Sequence, residues 1–154
     1  LSVRPAITVA AIIERNARFL VVEERDAGRL VINQPAGHVE PGETILEAAV
    51  RETLEETGWS FAPTALLGTY LWHNPATDAL TLRFAFVGDV TAHHPERTLD
   101  ADIVQATWLS RSELAARSAQ LRSPLVLQCV DDYLSGRRAP LETVVCIAPP
   151  GGRG

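Results

Sequence analysis

Glu52, Glu55 and Glu56 lie within one stretch, GHVEPGETILEAAVRETLEETG, that runs from Gly37 to Gly58. At about 100° per residue, three side chains with this spacing share roughly 100° of arc on a helix. Glu43 and Glu47 bring the acidic count of the stretch higher still. Like charges on one face gain a helix nothing, yet each i,i+4 repulsion costs only about a few tenths of a kcal/mol. Three readings therefore compete: a solvated acidic face, an acidic patch for a protein partner, or oxygen donors for a hard divalent cation such as Mg²⁺ or Mn²⁺. The helix and its spacing do not choose among them.

The elements around these residues can be read from pattern. Thr44-Ile-Leu-Glu47 has the form of a capping box and Gly58 that of a C-terminal stop, which frames a helix over Ile45–Thr57. Its opposite sector carries Leu46, Ala49, Val50, Thr53, Leu54 and Thr57 and is expected to face the core. Ahead of it, Gln34–Gly42 contains two prolines and two glycines and reads as a loop of defined shape. Strands are expected at Ala6–Ile13, Phe19–Glu23 and Leu30–Asn33, with Glu14–Arg18 as a turn and Glu24–Arg29 as a charged loop. Leu66–Trp72 and Leu80–Val87 read as two further strands, Gly88–Asp102 as a polar loop and Ile103–Leu109 as another strand. Ser110-Arg-Ser-Glu113 caps a short helix, and Ser123-Pro124 opens the last one. Strands before and after a central helix, with helices at the end, imply an α+β chain whose mixed β-sheet is flanked by helices in an α/β/α sandwich.

Composition narrows the class. A chain of 154 residues with 46% hydrophobic and 21% charged residues is expected to form one domain over 1–148, with 149–154 a disordered tail. The net charge of −5 argues against nucleic acid as a partner. There is no lysine, so every side-chain cation that does not depend on histidine is an arginine. Cys129 lies in an apolar run and reads as a reduced core thiol. No apolar stretch is long enough to span a membrane and no basic leader precedes the first one, so a cytoplasmic protein without a signal peptide is expected. The chain opens on Leu1 and holds no methionine, so its natural start is expected to lie upstream.

The loop before the helix breaks the tie over the glutamates. Gly37, Glu43, Arg51-Glu52, Glu55-Glu56 and Gly58-Trp59 match the Nudix box, G-x5-E-x7-R-E-U-x-E-E-x-G-U, with U a bulky apolar residue. Thr53 at the first U position is the one soft departure. Asn33-Gln-Pro-Ala-Gly-His38, Leu82-Arg83-Phe84, Trp108 and Leu121-Arg-Ser-Pro-Leu-Val126 extend the likeness, and the chain resembles the NudJ-type phosphatases of the Nudix superfamily.

The resemblance implies the Nudix fold and hydrolysis of pyrophosphate bonds with Mg²⁺ or Mn²⁺. It implies small-molecule substrates: nucleoside tri- and diphosphates cleaved stepwise with release of phosphate, and hydroxymethylpyrimidine pyrophosphate. Carried onto this chain, Glu52 and Glu56 are metal ligands, and Glu55 is a ligand or orients the attacking water. Gly37 offers a backbone carbonyl to the metal, and Arg51 holds the carboxylates, Glu43 among them. The general base varies across the superfamily and can lie on a distant loop, for which Asp100 and Asp102 are the candidates here. Arg83 is expected to meet a substrate phosphate or a structural carboxylate. Arg122 is expected to close over the site or merely to precede the last helix, and Trp72 to stack a pyrimidine or to join the core. His38 is expected to shape the box loop, and His93-His94 to lie on a surface loop. Alternatives are an ADP-ribose pyrophosphatase, to which Pro75 points weakly, a pyrophosphatase for oxidised nucleotides, and a non-catalytic ligand sensor. A monomer or weak dimer is expected.

Overall fold

The computed structural model describes residues 4–147. The expected tail, 149–154, lies outside them, as does residue 148. The first two apolar runs form β1 (Ala6–Arg15) and β2 (Arg18–Asp26), followed by β3 (Arg29–Asn33) and a short β4 (Ala36–His38). Then come α1 (Ile45–Thr57), two long strands β5 (Trp59–His73) and β6 (Leu80–His93), and β7 (Ile103–Ser110). The chain closes with α2 (Arg111–Ala116) and α3 (Leu125–Leu134), with short 3₁₀ turns at Ser118–Gln120 and Leu141–Thr143.

The strands run in the order β3-β2-β1-β6-β5, with β4 added to β1 and β7 to β2. β1 and β6 are parallel, while the other pairs are antiparallel, so the sheet is mixed as expected. One apolar cluster packs α1, through Ala48 and Ala49, against Val9, Ala11, Phe86 and Val90. A second joins Ile12, Val21, Ala85 and Val87 to Leu114 of α2 and to Cys129 and Val130 of α3. The two alternating sides of β6 are therefore both covered, which explains why its Arg83 side is as buried as its Phe86 side.

Several boundaries differ from expectation. The charged stretch Glu24–Arg29 is largely strand: Asp26 pairs with Arg29 across a two-residue turn at Ala27 and Gly28, with φ of 51° and 79°. β5 starts directly after α1, seven residues before Leu66. Pro63 is tolerated in it because β5 is an edge strand and its register shifts there. β6 continues to His93 through Gly88, where a Cβ would sit 2.7 Å from Pro63 Cα on the facing strand. The pair His93-His94 is correspondingly not plain surface loop: His93 stacks on Trp59 at 4.4 Å, and His94 bonds Ser60. The α1 boundaries, the reciprocal Thr44–Glu47 cap and the left-handed Gly58 stop are as expected. No helix among the described residues is long and apolar enough to cross a membrane.

Candidate active site

β1 shares one edge between two partners: β4 pairs with Thr8–Ala10, and β2 joins only at Glu14 and Arg15. The far ends of β1 and β2 therefore diverge. A cavity of about 790 Å³ opens there, lined by Thr8 of β1, Glu24 of β2, Asn33, the box loop and the acidic side of α1.

The acidic side of α1 is not a solvated face. Glu56 is only 8% exposed, and its carboxylate accepts a hydrogen bond from Ala36 N–H at 2.9 Å. Burial pushes its pKa up to about 9, a rise the Ala36 bond opposes and the neighbouring charges of Glu52 and Glu24 reinforce. Burial raises Glu52 too, against the pull of Arg51. Gly37 makes room for that carboxylate, since a Cβ there would overlap it.

Arg51 is the clamp. Its guanidinium meets Glu43 at 2.7 and 2.9 Å, Glu52 at 2.9 Å and Glu55 at 3.2 Å, and it donates to His38 O at 3.0 Å. The bidentate Glu43 pair chiefly raises the pKa of Arg51, so its charge is permanent here. Glu43 also accepts from Glu40 N–H, which ties the box loop to the helix through the same group. Thr53 fits its apolar position because it returns its hydroxyl to Ala49 O at 2.8 Å.

The chain from β6 to β7 is laid across the end of α1 by two backbone bonds, His94 N–H to Gly58 O and Asp100 N–H to Glu55 O. These bring Asp100 to the glutamates: oxygens of Glu52, Glu55 and Asp100 lie within 4.8 Å of one another. Asp102 is not part of that group. Its backbone carbonyl accepts from Arg25, so the two loop candidates separate. Glu56 stands beside this trio, on the cavity wall with Glu52 and Gly37. Carboxylate oxygens at this spacing, next to a buried carboxyl with no cation of its own among the described residues, suit a hard divalent ion.

The three substrate candidates all line the cavity. Trp72 is half-buried on its wall and belongs to neither core cluster. Arg122 is 44% exposed on the rim, where it pairs with Glu24 at 2.8 Å and Asp26 at 3.6 Å. Arg83 is 4% exposed and, among the described residues, has no carboxylate within ion-pair distance; it donates instead to the amide oxygens of Gln34 and Asn33. The structural salt bridge that sequence reading allows is thus not what holds it. Glu24, Asn33 and Gln34 are site residues that sequence reading missed. Glu24 was hidden in an apparent loop, although the apolar run before it continues the strand. Pro75, by contrast, is exposed in the β5–β6 turn and does not line the cavity.

Comparison with known proteins gives the family. The NUDIX domain family matches residues 3–129. The chain is 40% identical over 141 residues to Phosphatase NudJ of Escherichia coli (strain K12), spanning 92% of this chain and 91% of that protein. A solved NUDIX hydrolase from Nitrosomonas europaea is 46% identical, superposes with a TM-score of 0.91, and the match covers 94% of this chain and 98% of that one. A MutT NUDIX hydrolase from Burkholderia pseudomallei, 18% identical with a TM-score of 0.70 over 84% of this chain and 98% of that one, shares the fold.

Proposed function

The chain belongs to the NUDIX family as a Nudix hydrolase, and on that footing we propose that it cleaves pyrophosphate bonds in small phosphorylated compounds with Mg²⁺ or Mn²⁺. The substrates are nucleoside tri- and diphosphates and pyrimidine pyrophosphates such as hydroxymethylpyrimidine pyrophosphate, with phosphate as a product. The observation that carries this reading is the convergence of Glu55 and Asp100 on Glu52, which with buried Glu56 lines a cavity that Arg83 and Trp72 also line. Identity to a protein named as a phosphatase supports the choice of substrate class.

Glu52, Glu55, Glu56 and Asp100, with the Gly37 carbonyl, are the groups that would hold the cation. The ion supplies charge neutralisation for the phosphoryl oxygens and acidifies water beside it. Arg51 keeps Glu52 and Glu55 aimed, and Glu43 anchors Arg51 in turn. Asp100 or Glu55 would accept the proton of the attacking water, a role that their closeness to Glu52 supports. Trp72 offers a flat apolar face for a base or pyrimidine ring.

A substrate panel with and without Mg²⁺, with products identified, tests this. Phosphate release from GTP, GDP and hydroxymethylpyrimidine pyrophosphate is expected. AMP from ADP-ribose with none of the others cleaved would replace the reading with the ADP-ribose alternative, for which exposed Pro75 offers no support.

A further inference from the structure

Arg83 is the anomaly of the cavity. Arg51, in the acidic platform, and Arg122, on the cavity rim, both meet carboxylates. Arg83 is far more buried than either, yet Nη1 donates to Gln34 Oε1 at 2.9 Å and Nη2 to Asn33 Oδ1 at 3.1 Å, both neutral. Nη1 also lies 3.8 Å from the Cys129 thiol, while Nε has no partner among the described residues. A guanidinium has five N–H groups. These contacts meet three of the five, and leaving the Nε–H unmet and the charge without an anion, in a buried place, is unfavourable unless something else supplies the anion.

The amides are themselves placed to keep it so. Gln34 donates its Nε2 to Val126 O at 2.9 Å, which fixes its carbonyl oxygen toward Arg83. Asn33 lines the cavity directly, and an aspartate of the same shape there would neutralise the guanidinium.

We infer that Asn33 and Gln34 hold Arg83 as an uncompensated cation in the cavity, and that its missing counter-ion is a phosphoryl group of the substrate. β6, β1 and β4 place Arg83, Thr8 and His38 in register, so the Arg83 backbone lies about 10 Å, two strand spacings, from the box loop. A diphosphate or longer chain can thus engage the carboxylate platform with one phosphate and Arg83 with another. Arg83 is a binding residue in this scheme, and Asn33 and Gln34 are positioning residues. The inference rests on the phosphohydrolase reading above.

The experiment measures imidodiphosphate binding in Mg²⁺ by calorimetry, the melting temperature of the unliganded protein, and KM and kcat, for wild type, R83Q and N33D. Either substitution removes or neutralises the buried cation, so both variants are expected to melt at or above wild type. Both are also expected to bind imidodiphosphate about tenfold or more weakly, with KM raised more than kcat is lowered. Binding and KM within about threefold of wild type, against that tenfold expectation, would overturn the inference. Weakened binding accompanied by a lower melting temperature in both variants would overturn it as well, because a structural arginine gives that result. If wild type neither binds imidodiphosphate nor cleaves any pyrophosphate compound, the functional reading itself falls and this inference with it. Turnover by wild type with indifferent variants sinks the inference alone.

Discussion

Glu56 is nearly removed from water and, among the described residues, has no cation of its own to pair with. Its neighbour Arg51 serves Glu43, Glu52 and Glu55 instead. Replacing Glu56 by glutamine keeps the shape while removing the charge, so we expect a fall in kcat of about a hundredfold or more with circular dichroism unchanged. Near-normal turnover would remove Glu56 from the metal site. The two aspartates of the loop make a sharper pair. Asp100 shares its oxygens' neighbourhood with Glu52 and Glu55, whereas Asp102 touches β2 through its backbone. D100N should lower kcat by about a hundredfold while D102N stays within about twofold; equal effects would mean that the loop, and not the Asp100 carboxylate, matters. Sequence reading could nominate both but not separate them, since their difference is which one the backbone bond to Glu55 O lays against the helix.

The turns show how an element is fixed by local chemistry and where that chemistry is imperfect. Both tight turns of the β1-β2-β3 meander use positive φ at consecutive residues, Asn16 and Ala17 in one and Ala27 and Gly28 in the other. Asn and Gly tolerate that region, but alanine crowds its Cβ against the backbone. Ala17→Gly should therefore stabilise the fold by about 1 kcal/mol, or roughly 2–4 °C in melting temperature for a chain of this size. A lower melting temperature would mean that the glycine's added freedom in the unfolded chain outweighs the relief. The helix is the contrasting case. Thr44, Glu47 and Gly58 delimit α1 through side-chain and backbone bonds made within a few residues of each other, and its ends follow from sequence alone. β4 has no such local signature: Ala36–His38 becomes a strand because β1 offers Thr8–Ala10 as a partner.

Across the whole molecule, the acidic platform costs stability that, on the proposed reading, a bound cation would return. Folded and without metal, Glu56 holds its proton up to about pH 9, against an ordinary value of 4.5. Between those values the folded state carries more protons than the unfolded one, so this group's contribution is full below the ordinary value and is lost as pH rises toward about 9. On the proposed reading a divalent cation would compete with that proton and stabilise only the folded form. The rise in melting temperature on adding Mn²⁺ should accordingly be larger near about pH 8.5 than near about pH 6. A shift independent of pH over that interval would place the ion away from Glu56.

The sequence by itself determined the features whose causes are local or whose pattern is dense. These are the capped helix α1, the apolar runs that become β1, β2 and β6, and the box whose glycine, arginine and glutamates mark the family. Tertiary structure alone decided which of the three clustered glutamates of α1 is buried, which loop aspartate reaches them, and that Arg83 faces amides rather than a carboxylate. Those outcomes depend on strands distant in sequence, on β1 dividing one edge between β4 and β2, and on backbone bonds such as Asp100 to Glu55 that leave no periodic trace. Burial and charge pairing are properties of the surroundings a residue is given, and the fold supplies them.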